Sequence, residues 1–265
     1  MKEIIKSQLY ETVKSKSVWI AALVIAYFAG LECCARLEFE GGENVCTGTM
    51  AMGLTMDLYA VAFFTFIIAA FMCRDYKNRT INHDILSGYS RKQVFFGRMI
   101  PAYVIGSVAS FIYIYPAVIY QTIKYGWGSD VTALSIVLRN ITFLLLLFRL
   151  AGEIALLSMV IKRTWIVYGV LLLFGSAQQR AVFSIVINGY YEKYKYLWLL
   201  SGSAGSQLIL TPGYEEVFND AGEIVKRFEQ ILPMQAILVS VLSSILIGTL
   251  CLYAAFSLFS KRDMD

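Results

Sequence analysis

The sequence predicts an all-α polytopic membrane protein: six transmembrane helices, an N-terminal interfacial helix, a basic helical loop between the second and third spans, and further helices in a polar segment before the last span. Three observations carry this. Of 265 residues 58% are hydrophobic and only 16% charged, against about 25% charged in an ordinary soluble domain, and the mean hydropathy is +0.61. Apolar runs of roughly spanning length recur at about 18–35, 51–73, 97–120, 132–161, 165–187 and 234–259. Cations collect at one set of ends of those runs, as they do where charge sets orientation.

Residues 1–16, MKEIIKSQLYETVKSK, place Ile5, Leu9 and Val13 at i, i+4, i+8 among Lys2, Lys6, Lys14 and Lys16, the pattern of a helix lying in the membrane surface. The following run is as long as a span needs and has no small-residue cleavage site after it, so it reads as the first transmembrane helix rather than a signal. Arg36 to Thr49 is a short polar loop. Cys33, Cys34 and Cys46 fall near it, and a bridge from Cys33 or Cys34 to Cys46 requires that loop to be extracytoplasmic and oxidising. The plainer reading is that the cysteines, Cys73 and Cys251 included, are small apolar fillers.

The second span ends at Cys73 and leads into Arg74 to Arg98, RDYKNRTINHDILSGYSRKQVFFGR, where six cations (Arg74, Lys77, Arg79, Arg91, Lys92, Arg98) face two carboxylates (Asp75, Asp84). Locally this is two short helices around a break. Ile81, Ile85 and Leu86 share a helical face, Ser87-Gly88 ends the first helix, and Ser90-Arg91-Lys92-Gln93 is a capping box that opens the second. A helix with an apolar stripe in a basic loop calls for a protein partner.

The third span carries Pro101 in its first turns and Pro116 near its end, where a lost backbone bond is easier to satisfy. The fourth is interrupted by Arg139, Arg149 and Glu153. The fifth starts at Trp165 and meets Ser176-Ala177-Gln178-Gln179-Arg180 about halfway across; it either crosses fully to about Ile187 or turns back there. Charges inside spans cost at least a few kcal/mol and face protein or water. At about 1.5 Å per residue, Asp57 stands roughly 24 Å above Cys73 and Arg180 roughly 22 Å above Trp165, depths at which the two can meet. Arg149 and Glu153 can pair along one helix at i, i+4. These charges either glue the bundle or, with Gln178, Gln179 and Arg180, line a polar translocation route.

Between Asn188 and Pro233 the composition turns polar and aromatic, with NGYYEKYKYLW and SGSAGS followed by Thr211-Pro212. Thr211 as cap, Pro212 at the first helical position, Glu215 and Glu216 early and Lys226-Arg227 late match helix-terminus preferences. They predict a helix with a stripe of Phe218, Ala221, Val225, Phe228 and Leu232 in an extracytoplasmic segment at 188–233. With both termini cytoplasmic, the inner side holds Lys2, Lys6, Lys14, Lys16, the six cations of the 74–98 loop, Lys162, Arg163, Lys261 and Arg262, fourteen of twenty-three. The short outer loops hold only Arg36 and Lys124, and long loops translocate largely regardless of charge.

No GxxxxGK[S/T] occurs, so nucleotide binding through a P-loop is not expected and any ATP must be handled by another chain. The single histidine, His83, reads as a solvated loop residue, and a paired-His metal site lacks its ligands. No catalytic residue and no metal ligand is therefore assigned, the chain is expected not to be an enzyme, and its modest charge of +4 argues against nucleic acid as a partner.

Six spans, an amphipathic N-terminal helix, a loop of the form Asp75 … Asn78-Arg79-Thr80 … Leu86-Ser87-Gly88-Tyr89-Ser90-Arg91, a large outer segment before the last span and a closing Lys261-Arg262-Asp263 together resemble the type-2 ABC-transporter permeases. In that family glycine usually stands where Asn78-Arg79 stands here. The resemblance implies a coupling loop at 74–96 that docks on a separate cytoplasmic ABC ATPase, which holds the ATP and magnesium, with Asp75, Thr80, Ile81, Ile85, Leu86, Gly88, Ser90 and Arg91 as the coupling residues. It also implies a second permease copy or paralogue, residence in the bacterial cytoplasmic (inner) membrane among its lipids, and export of a hydrophobic or amphipathic peptide, lipid or drug. The alternative on the same fold is an immunity or sensing module that expels or detects membrane-active antimicrobial peptides.

Overall fold

The computed structural model describes residues 2–14, 16–39, 58–77, 84–125, 127, 132–161, 163–175, 214–218, 224–228 and 234–261. They form α1 (Lys2–Lys14), α2 (Lys16–Phe39), α3 (Leu58–Lys77), α4 (Arg91–Tyr125), α5 (Ala133–Ile161), α6 (Thr164–Gly175), β1 (Tyr214–Phe218), β2 (Ile224–Phe228) and α7 (Met234–Lys261). Among the described residues three helices are long and apolar enough to cross a membrane, within α4, α5 and α7. The chain is accordingly a predominantly helical membrane protein.

Helix α4 is the shared wall. Helices α1, α2 and α3 pack on it, while α5 packs on α3 and is paired along its length with α7. The core between α3, α4 and α5 is built from Phe64, Ile68, Tyr113, Ile114, Phe143, Leu147 and Ile154, all buried. Two polar crosslinks stitch it: Ser110 donates to the Ala60 carbonyl at 2.9 Å and Tyr103 to the Leu144 carbonyl at 2.8 Å. Close approach of α5 and α7 depends on glycine. A Cβ on Gly152 would lie 2.7 Å from the Gly248 carbonyl oxygen, and one on Gly248 would lie 2.9 Å from the Phe148 ring. In a bilayer, where burial of apolar surface gives helices no reason to associate, such close packing is what holds them together.

Surface patterning reverses that of a water-soluble bundle. Helix α7 hides Ser240, Ser243 and Ser244 against its neighbours and displays Leu238, Leu242, Leu246 and Leu250, and α2 displays Trp19, Ile20, Leu23 and Tyr27. Exposed leucines on a helix that buries serines face lipid or another membrane chain.

Residues Lys2–Lys14 are helical, with a packing stripe one position from the apolar one read in the sequence. Ile4, Gln8 and Thr12 are buried, and Ile4 lies against Gly97 of α4, while Leu9 is exposed. Two neighbouring faces are therefore used, one for the bundle and one for the surroundings.

The helix expected over residues 211–232 is corrected. Tyr214–Phe218 and Ile224–Phe228 form an antiparallel hairpin with Tyr214 opposite Phe228, Glu215 opposite Arg227, Glu216 opposite Lys226, Val217 opposite Val225 and Phe218 opposite Ile224. The acidic and basic residues that match helix termini stand instead at opposed register positions of two strands. Asn-Asp-Ala-Gly-Glu between the two runs is a hairpin signal that the helical reading passed over.

Candidate functional site

The basic segment before α4 folds from its punctuation. Residues 84–86 form the helical turn, and Gly88 takes a φ of +91°, the left-handed conformation that ends helices and that a Cβ resists. The Tyr89 amide donates to the Asp84 carbonyl at 3.3 Å and the Gly88 amide to the Ile85 carbonyl at 3.0 Å. That pair of bonds is a Schellman motif. Two residues on, the Ser90 amide donates to Gln93 Oε1 at 3.1 Å and the Gln93 amide to Ser90 Oγ at 3.3 Å, a reciprocal capping box. A helix stop and a helix start thus lie back to back, and α4 runs unbroken from Arg91 into the membrane.

Three ties fix this corner to the bundle. Arg98, two turns inside α4 and buried, donates through Nη2 to Asp84 Oδ2 at 2.6 Å, linking the turn to the helix that follows. Arg91 donates through Nη1 to the Ser260 carbonyl, one of the last carbonyls of α7 that lack a helical partner. Phe95 and Phe96 pack on Phe256, at centroid distances of 5.7 and 6.0 Å, and Phe95 also on Phe259 at 5.6 Å. With Ile4 seated on Gly97, the bases of α1, α4 and α7 and the 84–88 turn meet within two turns of α4.

The turn presents unequal faces. Ile85 is half-buried against the core, whereas Leu86 is 80% exposed. Of the other coupling residues implied by resemblance, Asp75 lies in the last turn of α3, and Thr80 and Ile81 fall outside the described residues. Asp84, Arg98, Phe256 and Phe259 were not singled out from the sequence, because their partners lie 14 or more positions away. An arginine two turns inside a spanning helix is the signal that points to Arg98.

Within the bundle, Arg149 Nε donates to Glu153 Oε1 at 2.9 Å, with Arg149 fully buried and Glu153 one-quarter exposed. Arg149 lies about 24 Å along α5 from Ala133 and about 18 Å from Ile161, near the middle of a span. The structure brings this pair together; Asp57, Gln178, Gln179 and Arg180 lie outside the described residues, as does Cys46, so neither the Asp57–Arg180 pair nor the bridge from Cys33 or Cys34 on α2 can be placed. Cys73 and Cys251 are free thiols. Among the described residues no group of three His, Cys, Asp or Glu side chains could hold a metal ion.

No protein-family model matches the sequence, and no curated protein matches it.

Proposed function

We propose that this chain is the transmembrane permease subunit of an ATP-driven ABC exporter, crossing the bacterial cytoplasmic membrane six times with both termini inside. It moves a hydrophobic or amphipathic cargo outward with energy from a separate ATPase subunit. The observation that carries the reading is the 84–98 corner: a helical turn closed by a Schellman motif, tied by Asp84 to the buried Arg98 and presenting Leu86 almost entirely to its surroundings. A motor subunit that pushes on membrane helices needs a contact that does not fold away under load. Here the contact turn, α4, α7 and α1 share one junction, so displacement of the turn is handed to helices on both sides of the bundle.

Leu86 is the residue to test, because Ile85 serves the chain's own packing and its loss would confound folding with docking. Leu86→Asp leaves every described contact of the corner in place. The expected result is at least a tenfold loss of affinity for the ATPase subunit, the scale of an apolar anchor at an interface centre, with unchanged thermal stability of the permease. Unchanged co-purification and unchanged cargo-stimulated ATP hydrolysis would overturn docking through this turn.

A further inference from the structure

The first turn of α4 breaks a local rule. It opens on Arg91 and Lys92 and carries no acid, although the N-terminal end of a helix bears partial positive charge and favours anions. The end of α7 lacks a local signal of another kind. Arg262-Asp263-Met264-Asp265, which follow Lys261, hold neither glycine nor asparagine, the residues suited to the left-handed stop that Gly88 makes after the 84–86 turn. Where a rule is broken locally, the reason lies in tertiary structure or in function.

The two irregularities answer each other. Helix α4 begins where α7 ends, and the Arg91 guanidinium crosses from the positive end of one to the negative end of the other, donating from Nη1 to the Ser260 carbonyl. Ser260 in turn donates from Oγ to the Ser257 carbonyl at 3.0 Å, so side chains take up carbonyls along the last turn of α7. One turn above Arg91, on the same side of α4, Phe95 packs on Phe256 and Phe259. The cap continues an aromatic seam. Arg91 is accordingly half-buried, while its neighbour Lys92, equally charged, is exposed.

We propose that Arg91 is a positioning residue of the docking turn: it caps α7 in trans, ties the end of α7 to the start of α4, and acts on the ATPase subunit only through that joint. The resemblance to permeases sets Arg91 among the residues that meet the ATPase. In the division drawn here Leu86 makes the contact and Arg91 holds the joint. The capping is independent of what the chain does, and its link to coupling rests on the permease reading.

Hydrogen exchange on the full chain in lipid nanodiscs, together with binding of the co-purifying ABC ATPase, tests this. Arg91→Ala should quicken exchange at the amides of 258–261 about fivefold, the fold-change of a cation lost from a partly buried helix end, and leave exchange around Gly152 of α5 unchanged. Lys92→Ala removes the same charge from the same turn of α4 and should leave 258–261 as in the parent. Affinity of Arg91→Ala for the ATPase should fall far less than that of Leu86→Asp, while permease-stimulated ATP hydrolysis at saturating ATPase is lost. Unchanged exchange at 258–261, an equal change with Lys92→Ala, or faster exchange that spreads to α5 would overturn the cap. An affinity loss as large as that of Leu86→Asp, or full stimulation of hydrolysis by Arg91→Ala, would overturn the positioning role. If no ATPase binds even the parent chain, the permease reading falls and with it the link to coupling, while the exchange result still decides the cap.

Discussion

The 84–98 corner and the 214–228 hairpin are both short, charged segments between apolar runs, and both read as helical in the sequence. Only the first is. What separates them is the kind of signal. At the corner the helical reading rests on reciprocal geometry: Ser90 and Gln93 satisfy each other's amides, and Gly88 supplies a conformation other residues resist. In the hairpin it rests on residue preferences with no reciprocal partner: a Thr-Pro start, an apolar stripe, and acids early with bases late. An antiparallel pair also sets early residues against late ones, so the same order of charges satisfies both structures.

The largest expected effect divides the two geometries outright. In the hairpin Val217 and Val225 stand directly opposite, at a Cα separation of about 4.5–5.5 Å, within disulfide reach. In a helix the same positions are about 12 Å apart along the axis, beyond it. Val217→Cys with Val225→Cys should form the 217–225 bridge on mild oxidation, identified by non-reducing peptide mapping. Absence of that peptide would restore the helical reading.

Legibility follows the range of the interaction. Helix stops and starts were readable because their partners sit three to five residues away, and the Arg149–Glu153 bond because it spans one helical turn. The Asp84–Arg98 bond crosses the break between two helices, and the Arg91–Ser260 bond joins residues 169 positions apart. Neither partner announces the other. Periodicity also identified an apolar face without saying what it touches: Ile85 and Leu86 belong to one stripe, yet one packs inward and the other stands exposed. Likewise Ile5 and Leu9 mark the apolar side of α1, while the bundle takes the adjoining Ile4, Gln8 and Thr12.

Next in size are changes that strip the corner of its local signals. Gly88→Ala puts a Cβ on a left-handed residue and should cost about 1–2 kcal/mol. Ser90→Ala removes the acceptor for the Gln93 amide and should cost about 1 kcal/mol. Both are read as a lowered Tm of the purified protein, and Ser90→Thr should recover most of the loss. If Gly88→Ala left Tm unchanged, the left-handed cap would not be what ends this helix, and the corner would be no better determined than the hairpin.

The smallest effect is the most discriminating, because it lies in the charges that misled. Glu215→Lys sets a second cation opposite Arg227, and a like-charged cross-strand pair weakens a hairpin by about 0.2–1 kcal/mol. Amide exchange across 214–218 should quicken by up to about fivefold at the upper end of that range, and adding Arg227→Glu should reverse it by restoring an opposite-charge pair. In a helix these positions are about 18 Å apart, so the second substitution could not rescue the first. Each would instead place the wrong sign at a helix end, and the two penalties would add. The sign of the coupling decides between structures that the order of charges leaves equivalent.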